Sequence, residues 1–198
     1  MVALLNAARD PAFPAEIVLV LSNKPDAGGL ALAREAGIAT MAIDHRLFRK
    51  DRAAHEAALD AALRDAGVEI VCLAGYMRLL TPFLVGAWAG RMLNIHPSLL
   101  PSFPGLETHE RALAAGVKLH GCTVHLVTDV MDEGPILAQA AVPVLAGDTE
   151  DALASRVLRQ EHVLYPAALA AFARGGAVAE PAGDAALANP LPIPVGVK

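Results

Sequence analysis

The sequence predicts an α/β protein built on a doubly wound, mostly parallel sheet, with antiparallel strands added in its second half. Three observations carry that expectation. Short apolar runs alternate with helix-patterned segments through the first half of the chain. Runs such as residues 17–21 and 68–73 lack polar alternation, as strands buried on both faces require. Residues 121–127 and 135–144 then read as two strands joined by the single turn 128–134, too short for a helical crossover.

The elements follow in order. Residues 1–8 form a helix fragment with Val2, Leu4 and Leu5 as its apolar positions, ended by Pro11 and Pro14. The strand at 17–21 is bounded by Ser22-Asn23-Lys24-Pro25-Asp26. A helix at 29–36 is closed by Gly37, and 38–43 is the next strand. Residues 51–66 form a helix with Ala53, Ala57, Leu59, Ala62 and Leu63 along one side, ended by Gly67. Strands follow at 68–73 and 92–95. In the strand at 121–127, Thr123, His125 and Val127 share one face, Val124 and Leu126 the other. A long helix spans 148–174, capped by Asp148 or Thr149, with Glu150 and Asp151 at its positive end. Pro166 should kink or split it. Residues 175–198, rich in Ala, Pro and Gly, form an irregular tail.

Composition narrows the function classes. At 198 residues the chain suits one domain, or one domain with a tail. The formal charge is −5 and Lys and Arg form no basic stripe, which argues against a nucleic acid partner. No apolar run reaches membrane-spanning length, and the start lacks the basic and apolar regions of a signal peptide. Cys72 and Cys122 lie in strand-like segments without a C-x-x-C pattern. They read as small buried hydrophobes in a reducing, cytoplasmic protein. A metal site is not expected, because no short-spaced Cys/His cluster exists.

One segment carries chemistry. Asn94-Ile95-His96-Pro97-Ser98-Leu99-Leu100-Pro101 follows a buried strand. Asn-x-His at a strand end puts both side chains on one face. Ligands of parallel sheets bind beyond the carboxyl ends of the strands. An Asn amide and a protonated His can stabilise negative charge developing on a carbonyl oxygen. A carboxylate beside the His would orient it and tune its protonation. Asp132 is the candidate, in the turn Asp129-Val130-Met131-Asp132-Glu133-Gly134; by spacing alone Asp129 or Glu133 serves as well.

The string 94–101 marks the folate-dependent formyltransferases, and Phe103-Pro104-Gly105 resembles their glycinamide ribonucleotide branch. The resemblance runs through Ser22-Asn23-Lys24, residues 36–40, Leu73-Ala74-Gly75-Tyr76-Met77-Arg78, residues 120–125, residues 129–134 and Gln160-Glu161-His162. It implies direct formyl transfer from 10-formyltetrahydrofolate, as co-substrate, to the amine of glycinamide ribonucleotide. It implies Asn94 and His96 as the oxyanion-stabilising pair and Asp132 as the essential carboxylate. By the same matching, Arg52, Met77, Arg78, Leu79, Leu80, Asn94, Thr128, Asp129, Val130, Met131 and Asp132 would bind the folate. Glu161, with Gln160 beside it, would contact the ribonucleotide. Leu100–Pro101 would be a cis bond.

Pattern alone reads several of these differently. Met77, Leu79 and Leu80 fit a core as well as a ligand wall. Arg78 fits a surface charge, Glu161 a solvated helix position, and His125 a supporting strand histidine. Residues 1–174 would form a single formyltransferase domain. The family's first strand and Gly/Ser/Asn phosphate loop have no counterpart here, so the natural protein is expected to start upstream. Taken as it stands, the chain would keep folate and lose ribonucleotide affinity. The competing readings are a folate-binding or inactive relative, a methionyl-tRNA formyltransferase and a formyltetrahydrofolate hydrolase.

Overall fold

The computed structural model describes residues 1–175. The expected tail therefore lies outside the described residues from position 176 on. Two compact units divide the chain between Met92 and Leu93, a boundary that no linker composition marks.

The first unit runs α1 (Val2–Ala7), β1 (Val20–Ser22), α2 (Gly28–Glu35), β2 (Thr40–Ala42), a 3-10 turn (His45–Phe48), α3 (Arg52–Asp65), β3 (Val71–Leu73) and α4 (Pro82–Ala87). Strands β1 and β2 pair in parallel, Val20 opposite Thr40 and Ser22 opposite Ala42. Both are shorter than their apolar runs predicted, because only three residue pairs stay in register along this ladder. Its core gathers Leu30, Ala33, Leu59, Ala62, Leu84, Val85 and Trp88.

Helix α3 corrects the sequence reading. Asp51 caps it, its Oδ1 accepting from the Ala54 amide at 2.9 Å. Its buried face is His55, Glu56, Leu59 and Ala62, while Ala53 and Ala57 are exposed. Two polar side chains displace the alanines because each finds partners. His55 Nε2–H donates to the Ile43 carbonyl at 3.0 Å. The Glu56 carboxylate accepts from both the amide and the hydroxyl of Thr81. Thr81 is the N-cap of α4, so Glu56 ties the loop after β3 to α3.

The second unit contains β4 (Met92–His96), which begins at the boundary, α5 (Thr108–Ala115), β5 (Leu119–Leu126), β6 (Ile136–Pro143) and α6 (Glu150–Ala173). The three strands are antiparallel in the order β4-β5-β6. The register shifts at Val124/His125, a bulge on the strand facing β4. Gly121 is required in β5, since a Cβ there would sit 1.9 Å from the Ala140 carbonyl oxygen. Helices α4 and α5 went unpredicted, being short.

Helix α6 packs on β5 and β6. Thr149, rather than Asp148, caps it, accepting from the Ala152 amide at 3.2 Å. Pro166 does not split it. The proline removes one backbone hydrogen bond. The buried Leu164, Tyr165, Ala168, Leu169 and Ala171 on both sides of it hold the helix through that gap. Tyr165 adds a bond from its hydroxyl to the Leu93 carbonyl at 3.1 Å. Among the described residues, no helix is long and apolar enough to cross a membrane.

Candidate active site

Strand β4 delivers Asn94 and His96 to one face, opposite His125 and Thr123 of β5. The loop that follows is pinned by a buried threonine. Thr123 Oγ1 donates to the Ser98 carbonyl at 2.7 Å and accepts from the Leu100 amide at 3.0 Å. Gln139 Nε2–H donates to the Leu100 carbonyl at 2.8 Å. The Leu100–Pro101 bond is cis, as the family resemblance implied.

Asp132 reaches the same cluster from the turn between β5 and β6. Its backbone is left-handed, φ 59°, which costs a non-glycine residue on the order of 1–2 kcal/mol. Asp tolerates that region better than most. The turn closes only because residue 134 is glycine, where a Cβ would lie 1.7 Å from the Leu126 carbonyl oxygen. The carboxylate ends 3.5 Å from His96 Nδ1 and 3.8 Å from His125 Nε2. Its Oδ2 accepts from the Gly105 amide at 2.8 Å. Asp129 and Glu133, equal candidates by spacing, are not in these contacts.

The hydrogen bonds fix where the ring protons sit. His96 Nε2 faces the Phe103 carbonyl at 3.1 Å, and a carbonyl only accepts, so Nε2 carries hydrogen. Its Nδ1 then faces the Asp132 carboxylate at 3.5 Å. His125 Nδ1 faces the Leu126 carbonyl at 2.9 Å and carries hydrogen likewise. The neutral ring's Nε2 lone pair therefore accepts from Asn94 Nδ2–H at 3.2 Å. Burial holds His125 below the ordinary imidazole pKa, only partly offset by the Leu126 carbonyl and Asp132. One hydrogen of the Asn94 amide is thus engaged by His125, and the amide carries a second.

His125 supports the site in a way the sequence does not specify: its Nε2 lies 3.2 Å from Asn94 Nδ2 and 3.8 Å from the Asp132 carboxylate. The signal available was its shared face with Thr123; its cross-strand partner was not readable.

The other expected site residues fall in both units. Arg52 opens α3 and is exposed. Met77 and Leu79, in the loop before α4, are 75% and 63% exposed, so they are not core. Met77 and Arg78 line a cavity of about 440 Å³ in the first unit, together with Leu21, Ser22, Lys24 and Leu30. In the second unit Val130 and Met131 are likewise exposed, and Thr128 donates its hydroxyl to the Val130 carbonyl at 3.1 Å. Gln160 and Glu161 lie on α6, both half-buried, and burial raises the Glu161 carboxyl above its ordinary value.

Known proteins resemble this chain over most of its length. The family model for formyl transferase matches residues 1–169. A phosphoribosylglycinamide formyltransferase of Escherichia coli is 46% identical over 173 residues, covering 87% of this chain and 81% of that protein. The trifunctional purine biosynthetic protein adenosine-3 of Bos taurus is 50% identical over 173 residues. The chain spans only 17% of that protein's length. A crystal structure of phosphoribosylglycinamide formyltransferase from Brucella melitensis superposes with a TM-score of 0.83 at 61% identity, covering 87% of this chain and 88% of the other.

Proposed function

The chain belongs to the formyl transferase family, and from that premise we propose that it transfers a formyl group from 10-formyltetrahydrofolate to the amine of glycinamide ribonucleotide, a step of purine biosynthesis. The observation that carries the reading is the meeting of Asn94, His96, His125 and Asp132 around one point of the second unit. The names of the relatives supply the formyl group and its phosphoribosylglycinamide acceptor, and the family resemblance supplies the folate donor.

The reaction is direct. The amine nitrogen attacks the formyl carbon, and the carbonyl oxygen becomes an oxyanion. The free Asn94 Nδ2–H donates to that oxygen, aimed by His125. An imidazolium at His96, paired with Asp132, adds positive charge beside it. The attacking nitrogen must then lose a proton. Asp132 accepts it and returns it to the folate nitrogen as the carbon–nitrogen bond to folate breaks. The products are a formamide and the tetrahydrofolate N–H, so atoms and protons balance without a covalent enzyme intermediate.

Residues 128–132 of the second unit would contact the folate, where the exposed Val130 and Met131 suit its apolar ring faces. Glu161 would take the ribonucleotide. A formyl-transfer assay with both substrates tests the proposal. Transfer should be measurable, and Asn94→Ala should slow it on the order of 100- to 1000-fold. Absence of transfer by the folded protein would reject the reading.

A further inference from the structure

Arg111 is an exposed residue of α5 whose guanidinium is nonetheless engaged. Nη1 donates to the Pro104 carbonyl at 2.5 Å and to the Leu106 carbonyl at 3.2 Å. Its guanidinium carbon also stands 5.7 Å from the centre of the Phe103 ring. The segment it grips is strained at both ends. Phe103 and Glu107 are left-handed, at φ 55° and 56°. Such residues persist only where surrounding contacts over-determine the backbone.

The same segment grips the candidate site from its other side. Phe103 offers its carbonyl to His96 Nε2, and Gly105 donates its amide to Asp132 Oδ2. Along the segment the contacts alternate: the site at 103, Arg111 at 104, the site at 105, Arg111 at 106. We propose that Arg111 is a positioning residue for formyl transfer, holding residues 103–107 in the conformation that sets His96 and Asp132 against each other. The inference rests on the formyl-transfer reading for its catalytic meaning and on these contacts for its geometry. The two hydrogens of one guanidinium nitrogen serve two carbonyls while the guanidinium carbon stands over an aromatic ring at 5.7 Å. An ammonium group on a flexible stem does not reproduce that fork.

The experiment compares the full chain with Arg111→Met and Arg111→Lys. Steady-state formyl transfer is measured across pH, and imidazole NMR spectra are recorded on protein labelled with 15N-histidine, with His96→Asn assigning the His96 signals. In Arg111→Met, kcat should fall on the order of 10- to 100-fold while KM for both substrates stays within about threefold. Its acid limb should shift, and the His96 Nε2–H signal should broaden or vanish at unchanged far-UV circular dichroism. Arg111→Lys, which keeps the charge without the fork, should fall between, and it carries the test if the methionine variant does not fold. A kcat within about threefold of the parent, with the His96 signal intact, overturns the inference. If the parent chain transfers no formyl group, the functional reading falls, and the NMR arm still decides: an unmoved His96 signal in both variants overturns the clamp, a lost one upholds it.

Discussion

Asn94 and His125 are cross-strand partners whose side chains meet, Nδ2 to Nε2, at 3.2 Å. The contact has a direction. His125 keeps its proton on Nδ1 for the Leu126 carbonyl, so its Nε2 can only accept, and the Asn94 amide must present hydrogen to it. That fixes which way the amide points. A carbonyl substrate would then meet the second amide hydrogen rather than the amide oxygen.

A substitution at His125 should therefore act through Asn94. His125→Leu removes the acceptor and lets the amide rotate. We expect kcat to drop on the order of 10-fold, with KM for formyl folate changing less than threefold. Protonation of His125 would turn its Nε2 into a donor facing a donor. The wild-type rate should accordingly fall on the acid side, below the ordinary imidazole range, because burial lowers this pKa. A His125→Leu rate equal to wild type would show that Asn94 needs no guide.

The pair His109 and His120 bears on acid stability. His120 is buried against His109, Nε2 to Nδ1 at 3.2 Å, and burial with the neighbouring His109 charge pushes it down to about 4. The unfolded chain binds this proton near 6.5, so between those values the unfolded state holds more protons. Stability is complete above about pH 6.5 and is lost as the pH falls toward 4. The loss amounts to on the order of 3 kcal/mol at 1.36 kcal/mol per pKa unit. Urea midpoints at stepped pH should follow this slope, and His120→Gln should flatten it. An equally steep slope in the variant would assign the acid lability elsewhere.

Gly134 tests the turn that delivers Asp132. With a Cβ the residue would stand 1.7 Å from the Leu126 carbonyl oxygen and 3.3 Å from Thr128 Cγ2. Gly134→Ala should destabilise the protein by more than about 3 kcal/mol, since backbone rather than a movable side chain blocks it. Thermal melting gives the answer, and a melting point within a degree or two of the parent would mean that the turn can relax.

Much of this site could be read in one dimension. Asn94 and His96 share a face because strand periodicity demands it, and the Pro-rich string after them announces a loop at a strand end. What lay beyond reach depended on contacts across long stretches of chain. The Asn94–His125 pairing joins residues 31 apart, and Gly105 and Asp132 are 27 apart. Spacing alone left Asp132 level with Asp129 and Glu133; the family resemblance singled it out, and its left-handed backbone accompanies the contacts that only it makes. Helix α3 shows the same limit. Its buried Glu56 looks like a surface residue until Thr81, 25 positions on, supplies the hydrogen bonds that make burial tolerable. The apolar runs of β1 and β2 announced strands, while their lengths were set by the partner and not by propensity.

The most direct test of the account is single-turnover transfer of labelled formyl from 10-formyltetrahydrofolate to glycinamide ribonucleotide, comparing the parent with Asp132→Asn. Folate affinity is measured in parallel. The substitution keeps the side chain's size and removes its ability to accept and return a proton. The expected rate is lower by on the order of 100-fold or more, a loss larger than any fall in folate affinity. A variant that transfers formyl at the parental rate would contradict the account.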